Sequence, residues 1–169
     1  INTFAIFPQI SEEKKNSQGS EFLNSNSLAY QIARQIKSSN TNITLIGDLA
    51  LDPYTNHGHD GILGNDGLVE NDTTVKILSQ GAVLAAEAGY DVVAPSDMMD
   101  GRIRAIRKEL DNHNLLNTGI LAYSAKFSSA YYGPFRDAIG SKQKVPIDKS
   151  TYQLNPSNFR EAKRELELD

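Results

Sequence analysis

Short apolar runs alternate along the chain with stretches whose apolar positions recur at helical spacing. Phe4-Ala5-Ile6-Phe7 predicts a strand, stopped by Pro8, which cannot donate to a ladder. The polar segment from Ile10 to Gly19 predicts a loop. Residues 20–37 predict a helix, with Leu23, Leu28, Ile32 and Ile36 spaced for one buried face. Ile43-Thr44-Leu45-Ile46 predicts a second strand, ending at Gly47-Asp48. A long loop from Leu51 to Asn71 follows, rich in Gly, Asp, Asn and His. It leads into a helix capped by Asp72 or Thr73, carrying Val75, Leu78, Ala82 and Ala85, and stopped by Gly89. Asp91-Val92-Val93-Ala94 predicts a third strand. Met98 to Asn112 predicts a helix with Ile103, Ile106 and Leu110 on one face, and Gly119 to Tyr123 predicts a fourth strand.

The order is βαβαβαβ, and the strands are short and continuously apolar. That pattern predicts an α/β domain with a parallel sheet covered by helices. A closed (β/α)8 barrel typically takes ~250 residues, so four strands in 169 residues amount to about half of one. A small doubly wound sheet accounts for the same periodicity equally well. Either way residues 1–169 read as a single domain. Ile1 to Pro8 lacks an initiator Met and a basic leader region, and reads as a strand already under way, as in an internal piece of a longer chain.

The last three strands each run straight into a dense polar segment. In a parallel α/β fold the C-terminal strand ends converge on one face, where sites are built. Asp48, Ser96, Asp97, Ser124 and Lys126 are therefore expected to approach one another. A lysine just beyond an apolar strand is a candidate for desolvation, which disfavours the ammonium and lowers its pKa. A neutral amine attacks ketones to form a Schiff base. Most lysines are solvated, and that reading stays open beside the catalytic one.

The cluster Asp52, His57, His59 and Asp60 admits two readings. Oxygen and imidazole ligands suit magnesium, calcium or a transition metal. The favoured alternative is a loop held by Asp and His hydrogen bonds, with Gly58 and Gly61 supplying turns. Arg102, Arg136, Lys142, Lys144 and Lys149 follow the strands and suit carboxylate binding, Arg with bidentate geometry. The aromatic run Tyr131-Tyr132-Gly133-Pro134-Phe135 reads as a lid that excludes water or as ordinary packing.

Composition narrows the chemistry. The net charge is -4, so no basic face for nucleic acid is expected. The chain has no cysteine, which removes disulfides, thiolate zinc sites and cysteine nucleophiles together. No apolar run reaches the ~18 residues that span a membrane, and no membrane partner is expected.

Three strings carry more. Asp48 to Gly61, Val93-Ala94-Pro95-Ser96-Asp97-Met98-Met99-Asp100-Gly101-Arg102, and Tyr123-Ser124-Ala125-Lys126-Phe127 through Tyr132-Gly133-Pro134-Phe135-Arg136-Asp137 resemble the porphobilinogen synthase (5-aminolevulinate dehydratase) family, in order and at similar spacing. The resemblance implies a TIM (β/α)8 barrel, present here as a partial barrel. It implies a lyase that joins two 5-aminolevulinate molecules into porphobilinogen with loss of two waters, in tetrapyrrole synthesis. Lys126 matches one of two Schiff-base lysines, and the second is not in the chain. Asp48, Ser96, Asp97 and Ser124 match polar residues at the barrel mouth. Arg136, Lys149 and Gln153 match substrate-binding positions, the first two for a carboxylate.

Zinc-dependent members carry three cysteines where this chain has Ala50, Asp52 and Asp60. The pattern resembles the zinc-independent subgroup, so Asp52 and Asp60 are candidate ligands for Mg2+ or a monovalent cation, with no zinc expected there. Glu165 falls where that subgroup places a separate allosteric magnesium ligand. The resemblance also implies a homo-octamer or other homo-oligomer, in a bacterial cytoplasm or a plastid stroma. The first strands, the family's N-terminal arm and the second lysine are missing, so this piece alone is expected to be incomplete for catalysis. Two rivals share parts of the pattern: a Schiff-base aldolase on the same barrel, and a non-catalytic half-barrel scaffold.

Overall fold

The computed structural model describes residues 1–40, 42–138 and 148–169. Among them β1 (Thr3–Ile6), β2 (Thr44–Leu49), β3 (Val92–Pro95) and β4 (Gly119–Ile120) form one sheet in the order β1-β2-β3-β4. Each neighbouring pair is parallel, with Thr3 opposite Thr44, Ile46 opposite Val92, and Val92 opposite Gly119. A doubly wound sheet reverses its strand order at a switch point. This sheet advances steadily to one side, as barrel strands do, so the topology is that of a partial (β/α)8 barrel.

The helices are α1 (Leu28–Ser39), α2 (Asn71–Ala88), α3 (Arg102–Asn112), α4 (Gly133–Ala138) and α5 (Phe159–Leu168). Leu45, Leu49 and Val93 of the sheet share one core with Ala33 of α1, Leu78 and Ala82 of α2, and Ile106 and Leu110 of α3. The predicted inner faces of α2 and α3 are thus largely realised, and Gly89 ends α2 in the left-handed region at φ 107°. The cap of α2 is Glu70, ahead of the predicted Asp72 or Thr73.

The first helix departs from expectation. Residues Ser20–Leu23 form a short 3-10 turn, and α1 begins only at Leu28, behind Ser27. The Asn24 side chain accepts the Asn26 N–H at 3.0 Å, a local turn that competes with the helix ladder. The buried face also differs from the predicted stripe. Ala29, Tyr30 and Ala33 pack inward, while Leu28 and Ile32 stand 59% and 39% exposed. Phe22, rather than Leu23, enters the core.

Helix α3 also starts late, at Arg102, because Met98 and Gly101 both hold left-handed backbone, at φ 71° and 75°. That conformation costs a non-glycine residue about 1–3 kcal/mol. At Met98 the strain accompanies a hydrogen bond from the Met99 N–H to the Asp97 carboxylate at 2.8 Å. Helix α5, capped where Asn158 accepts the Glu161 N–H, has no counterpart among the predicted elements.

At the N-terminal ends of the strands, Lys37 of α1 donates to the Ile43 carbonyl at 2.6 Å and to both Asp91 oxygens at 2.9 and 2.6 Å. The Asp91 carboxylate also accepts the Leu45 N–H at 2.7 Å. This brace ties α1, β2 and β3 together at the end of the sheet away from the polar segments.

Gly81 of α2 gives a test of the core. A Cβ there would collide with the edge of the Phe22 ring. Gly→Ala in a helix interior ordinarily gains about 1 kcal/mol, whereas overpacking costs typically 1–3 kcal/mol. Gly81→Ala is therefore expected to lower the urea midpoint, and Gly81→Ala with Phe22→Leu to recover part of the loss.

Candidate active site

The C-terminal ends of β2, β3 and β4 bring a charged cluster together under the sheet's mouth. Lys126, beyond β4, donates from Nζ to Asp60 Oδ1 at 2.9 Å and to the Ser96 carbonyl at 2.8 Å. Asp60 is fully buried, and its other oxygen, Oδ2, lies 2.7 Å from Lys149 Nζ. Lys149 also reaches Asp52 Oδ2 at 3.4 Å. The Tyr152 hydroxyl donates to Asp60 Oδ2 at 2.8 Å. Ser96 Oγ donates to Asp48 Oδ1 at 2.6 Å. The Tyr132 ring lies with its centroid 5.9 Å from Lys126 Nζ.

These contacts set the charges. Burial alone would raise the Asp60 carboxyl, but the ammoniums of Lys126 and Lys149 outweigh it and hold Asp60 well below the usual carboxylate range. Burial alone would likewise lower Lys126. The carboxylates of Asp60, Asp52 and Asp48 outweigh that effect and push Lys126 above the ordinary lysine value. The expectation of a desolvated, easily deprotonated lysine is thus corrected: the resting amine is an ammonium locked in an ion pair. Asp48 is different. Burial pushes its carboxyl up to about 7, against the opposing Ser96 hydrogen bond. Burial, then repulsion from Asp60, also raises Asp52.

Several predicted roles change. Asp48 engages Ser96 through its side chain, not Lys126. Asp97 accepts the Met99 N–H and lies 3.4 Å from Arg102 Nε, so it is a structural partner of a buried arginine instead of a member of the lysine cluster. Ser124 joins no hydrogen bond among the described residues. Gln153 is buried beside Tyr152, its N–H donating to the Lys149 carbonyl at 2.9 Å, its side-chain oxygen unpaired among the described residues. Asp52 and Asp60 both face lysine ammoniums, Asp52 Oδ2 at 3.4 Å from Lys149 and Asp60 at 2.7 Å from Lys149 and 2.9 Å from Lys126. The 52–60 segment is tied by hydrogen bonds of its own, with Thr55 Oγ1 donating to the His59 carbonyl and His57 Nδ1 accepting the His59 N–H. Among the described residues no three His, Cys, Asp or Glu side chains converge to hold a metal ion. Glu165 sits on α5, where burial and then the charges of Asp100, Asp169 and Glu161 raise its carboxyl. Lys142, Lys144 and the Arg136 side chain lie outside the described residues. Tyr152 had no signal of its own in the sequence, since its partner Asp60 lies 92 residues earlier.

The model of the delta-aminolevulinic acid dehydratase family matches residues 1–169, the whole chain. The chain belongs to this family. It is 50% identical over 169 residues to the delta-aminolevulinic acid dehydratase of Bradyrhizobium diazoefficiens, covering 100% of this chain and 48% of that protein. It is 45% identical over 176 residues to the chloroplastic enzyme of Chlamydomonas reinhardtii, covering 100% of this chain and 45% of that protein. The delta-aminolevulinic acid dehydratase of Toxoplasma gondii, solved in complex with the reaction product porphobilinogen, superposes with a TM-score of 0.96 at 45% identity, over 99% of this chain and 48% of that one. The chain thus spans about half the length of these relatives.

Asp48 yields a pH prediction. Its folded pKa, about 7, lies above the ordinary value of 3.8, so the folded state binds the proton more tightly. The Asp48 contribution to stability is therefore greatest in acid and is lost as pH rises toward neutrality. Asp48→Asn removes that slope. Between about pH 5 and about pH 7 the wild-type urea midpoint is expected to fall relative to the Asp48→Asn midpoint.

Proposed function

We propose that this chain carries the first Schiff-base lysine of a porphobilinogen synthase, and that the full-length protein joins two 5-aminolevulinate molecules into porphobilinogen with release of two waters. The observation that supports this most is the buried Lys126 ammonium at the C-terminal mouth of a family half-barrel, bonded to Asp60 and the Ser96 carbonyl.

The chemistry follows from the charges. Lys126 must shed a proton before its nitrogen attacks the ketone carbon. Asp60 is a poor acceptor because two ammoniums hold it ionised. Asp48, pushed up to about 7 and bonded to the side chain of Ser96, whose carbonyl binds Lys126, is the suited acceptor by relay through one intervening water. The carbinolamine then loses its hydroxyl as water, taking back the lent proton, and the nitrogen carries the positive charge as an iminium. Ammonium plus ketone thus becomes iminium plus water with no net proton change. Asp60 faces a cation before and after, so the ion pair survives the step. The iminium draws electrons from the neighbouring carbon and eases proton loss there. Lys149 would exchange its aspartate partners for a substrate carboxylate, with Arg136 and Gln153 assisting.

The proposal extends to a homo-oligomeric parent, to a bacterial cytoplasm or plastid stroma, and to Mg2+ acting at Glu165, where a cation would relieve the crowding of negative charge.

Borohydride trapping with 5-aminolevulinate tests the central claim. An adduct mapped to Lys126 and lost in Lys126→Met is expected; an adduct of unchanged yield in that variant rejects the role. For magnesium, Mg2+ is expected to raise the Tm of the wild type and not of Glu165→Gln. Equal shifts would place the ion elsewhere.

A further inference from the structure

Asp60 holds Lys126 only if its own carboxylate is held, and the residue in place to do that is Tyr152. The Tyr152 hydroxyl has one proton and two lone pairs. It lies 2.8 Å from Asp60 Oδ2, 3.3 Å from the Asp60 backbone N and 3.2 Å from His59 Nδ1. The Asp60 N–H can only donate, and the ionised Asp60 carboxylate can only accept. The phenol proton therefore goes to Asp60 Oδ2, and the oxygen accepts the Asp60 N–H. With that proton spent, His59 Nδ1 completes the set only by donating, which fixes His59 as the Nδ1–H tautomer. One hydroxyl thus gains three bonds, two of them to a single residue.

The geometry points to Tyr152 as a positioning residue for the lysine site, with His59 as its support. Tyr152 and Lys149 belong to one turn, closed by the Gln153 N–H to the Lys149 carbonyl at 2.9 Å. That turn is strapped to the Lys126 strand end, where the Leu154 N–H donates to the Lys126 carbonyl at 3.0 Å and the Ser128 N–H to the Leu154 carbonyl at 2.9 Å. Lys149 supplies Asp60 with charge; Tyr152 supplies direction, gripping both the backbone and the carboxylate so that Oδ1 stays aimed at Lys126. Burial and the neighbouring Asp60 charge keep the phenol protonated, so it remains a donor.

The role rests on the proposed Schiff-base chemistry only for its effect on rate, and the structural claim is tested apart from it. Tyr152→Phe keeps the ring and removes only the hydroxyl. Nitrogen NMR of the full chain is expected to show His59 as the Nδ1–H tautomer in the wild type and to lose that signature in Tyr152→Phe. His59→Asn, whose amide N–H stands near the position of Nδ1, is expected to keep most of the wild-type behaviour, and His59→Leu to lose it. If imines form at Lys126, Tyr152→Phe should slow trapping roughly tenfold at saturating 5-aminolevulinate, the scale of one hydrogen bond to a charged group, with half-saturation little changed. An Nε2–H tautomer in the wild type, or a wild-type trapping rate in Tyr152→Phe, overturns the assignment. Absence of any adduct in the wild type rejects the proposed chemistry and leaves the tautomer result to decide the positioning claim.

Discussion

The Asp60 carboxylate between two ammoniums is the contact on which the rest of the site depends. Burying an unpaired carboxylate or ammonium is costly, and breaking a buried pair by removing one partner typically costs about 3–5 kcal/mol. Here Asp60 answers Lys126 on one oxygen and Lys149 on the other. The three segments that supply these groups, after β2, after β4 and before α5, are distant in sequence. A parallel bridge between Phe127 and Leu154 joins the last two, and the Asp60 ion pairs tie both to the first. Charge balance also divides labour among the carboxylates: Asp60 stays ionised, which leaves Asp48, free of a direct ammonium contact, to titrate near neutrality.

The framework keeps that cluster in register by treating the two ends of the sheet differently. At one end the Lys37–Asp91 brace is polar but partly open to water, and fixes α1, β2 and β3 to one another. At the other end a buried Arg102 gathers backbone instead. Its guanidinium donates to the Met99 carbonyl at 3.1 Å and the Tyr123 carbonyl at 2.9 Å, with Asp97 beside it. Arg102 thereby joins the loops after β3 and β4, the same two loops that carry Ser96 and Lys126. The strained backbone at Met98 belongs to this arrangement, since it lets the Met99 N–H reach Asp97.

Much of this was legible from residues. Apolar runs located all four strands, and the rule that sites gather at strand C-termini placed Asp48, Ser96 and Lys126 near one another. Periodicity left barrel and doubly wound sheet open because both use the same buried strands; strand order separates them, and order is a tertiary property. The first helix was misplaced because Leu23, Leu28, Ile32 and Ile36 fit a helical stripe, while the Asn24–Asn26 turn that breaks it is a side-chain event. The strand-end rule gives the position of Lys126 but not its charge. Desolvation is a local inference, but the carboxylates that overcome it come from residues 48, 52 and 60. Tyr152 and Lys149 as partners of Asp60 were invisible for the same reason.

The sequential strand order bears on how such a chain is built. Each strand pairs with the one made just before it, so every β-α unit completes against an edge that already exists. Emerging from a ribosome, the sheet has one growing margin at a time, and a late strand need not be threaded between two early ones. The lysine cluster cannot keep this schedule. Asp60 is synthesised long before Lys126 and longer still before Lys149, and it waits in the nascent chain as a carboxylate with its partners unmade. Assembly of the scaffold and assembly of its charge balance are thus separate events, the second closing only when the 148–153 turn arrives.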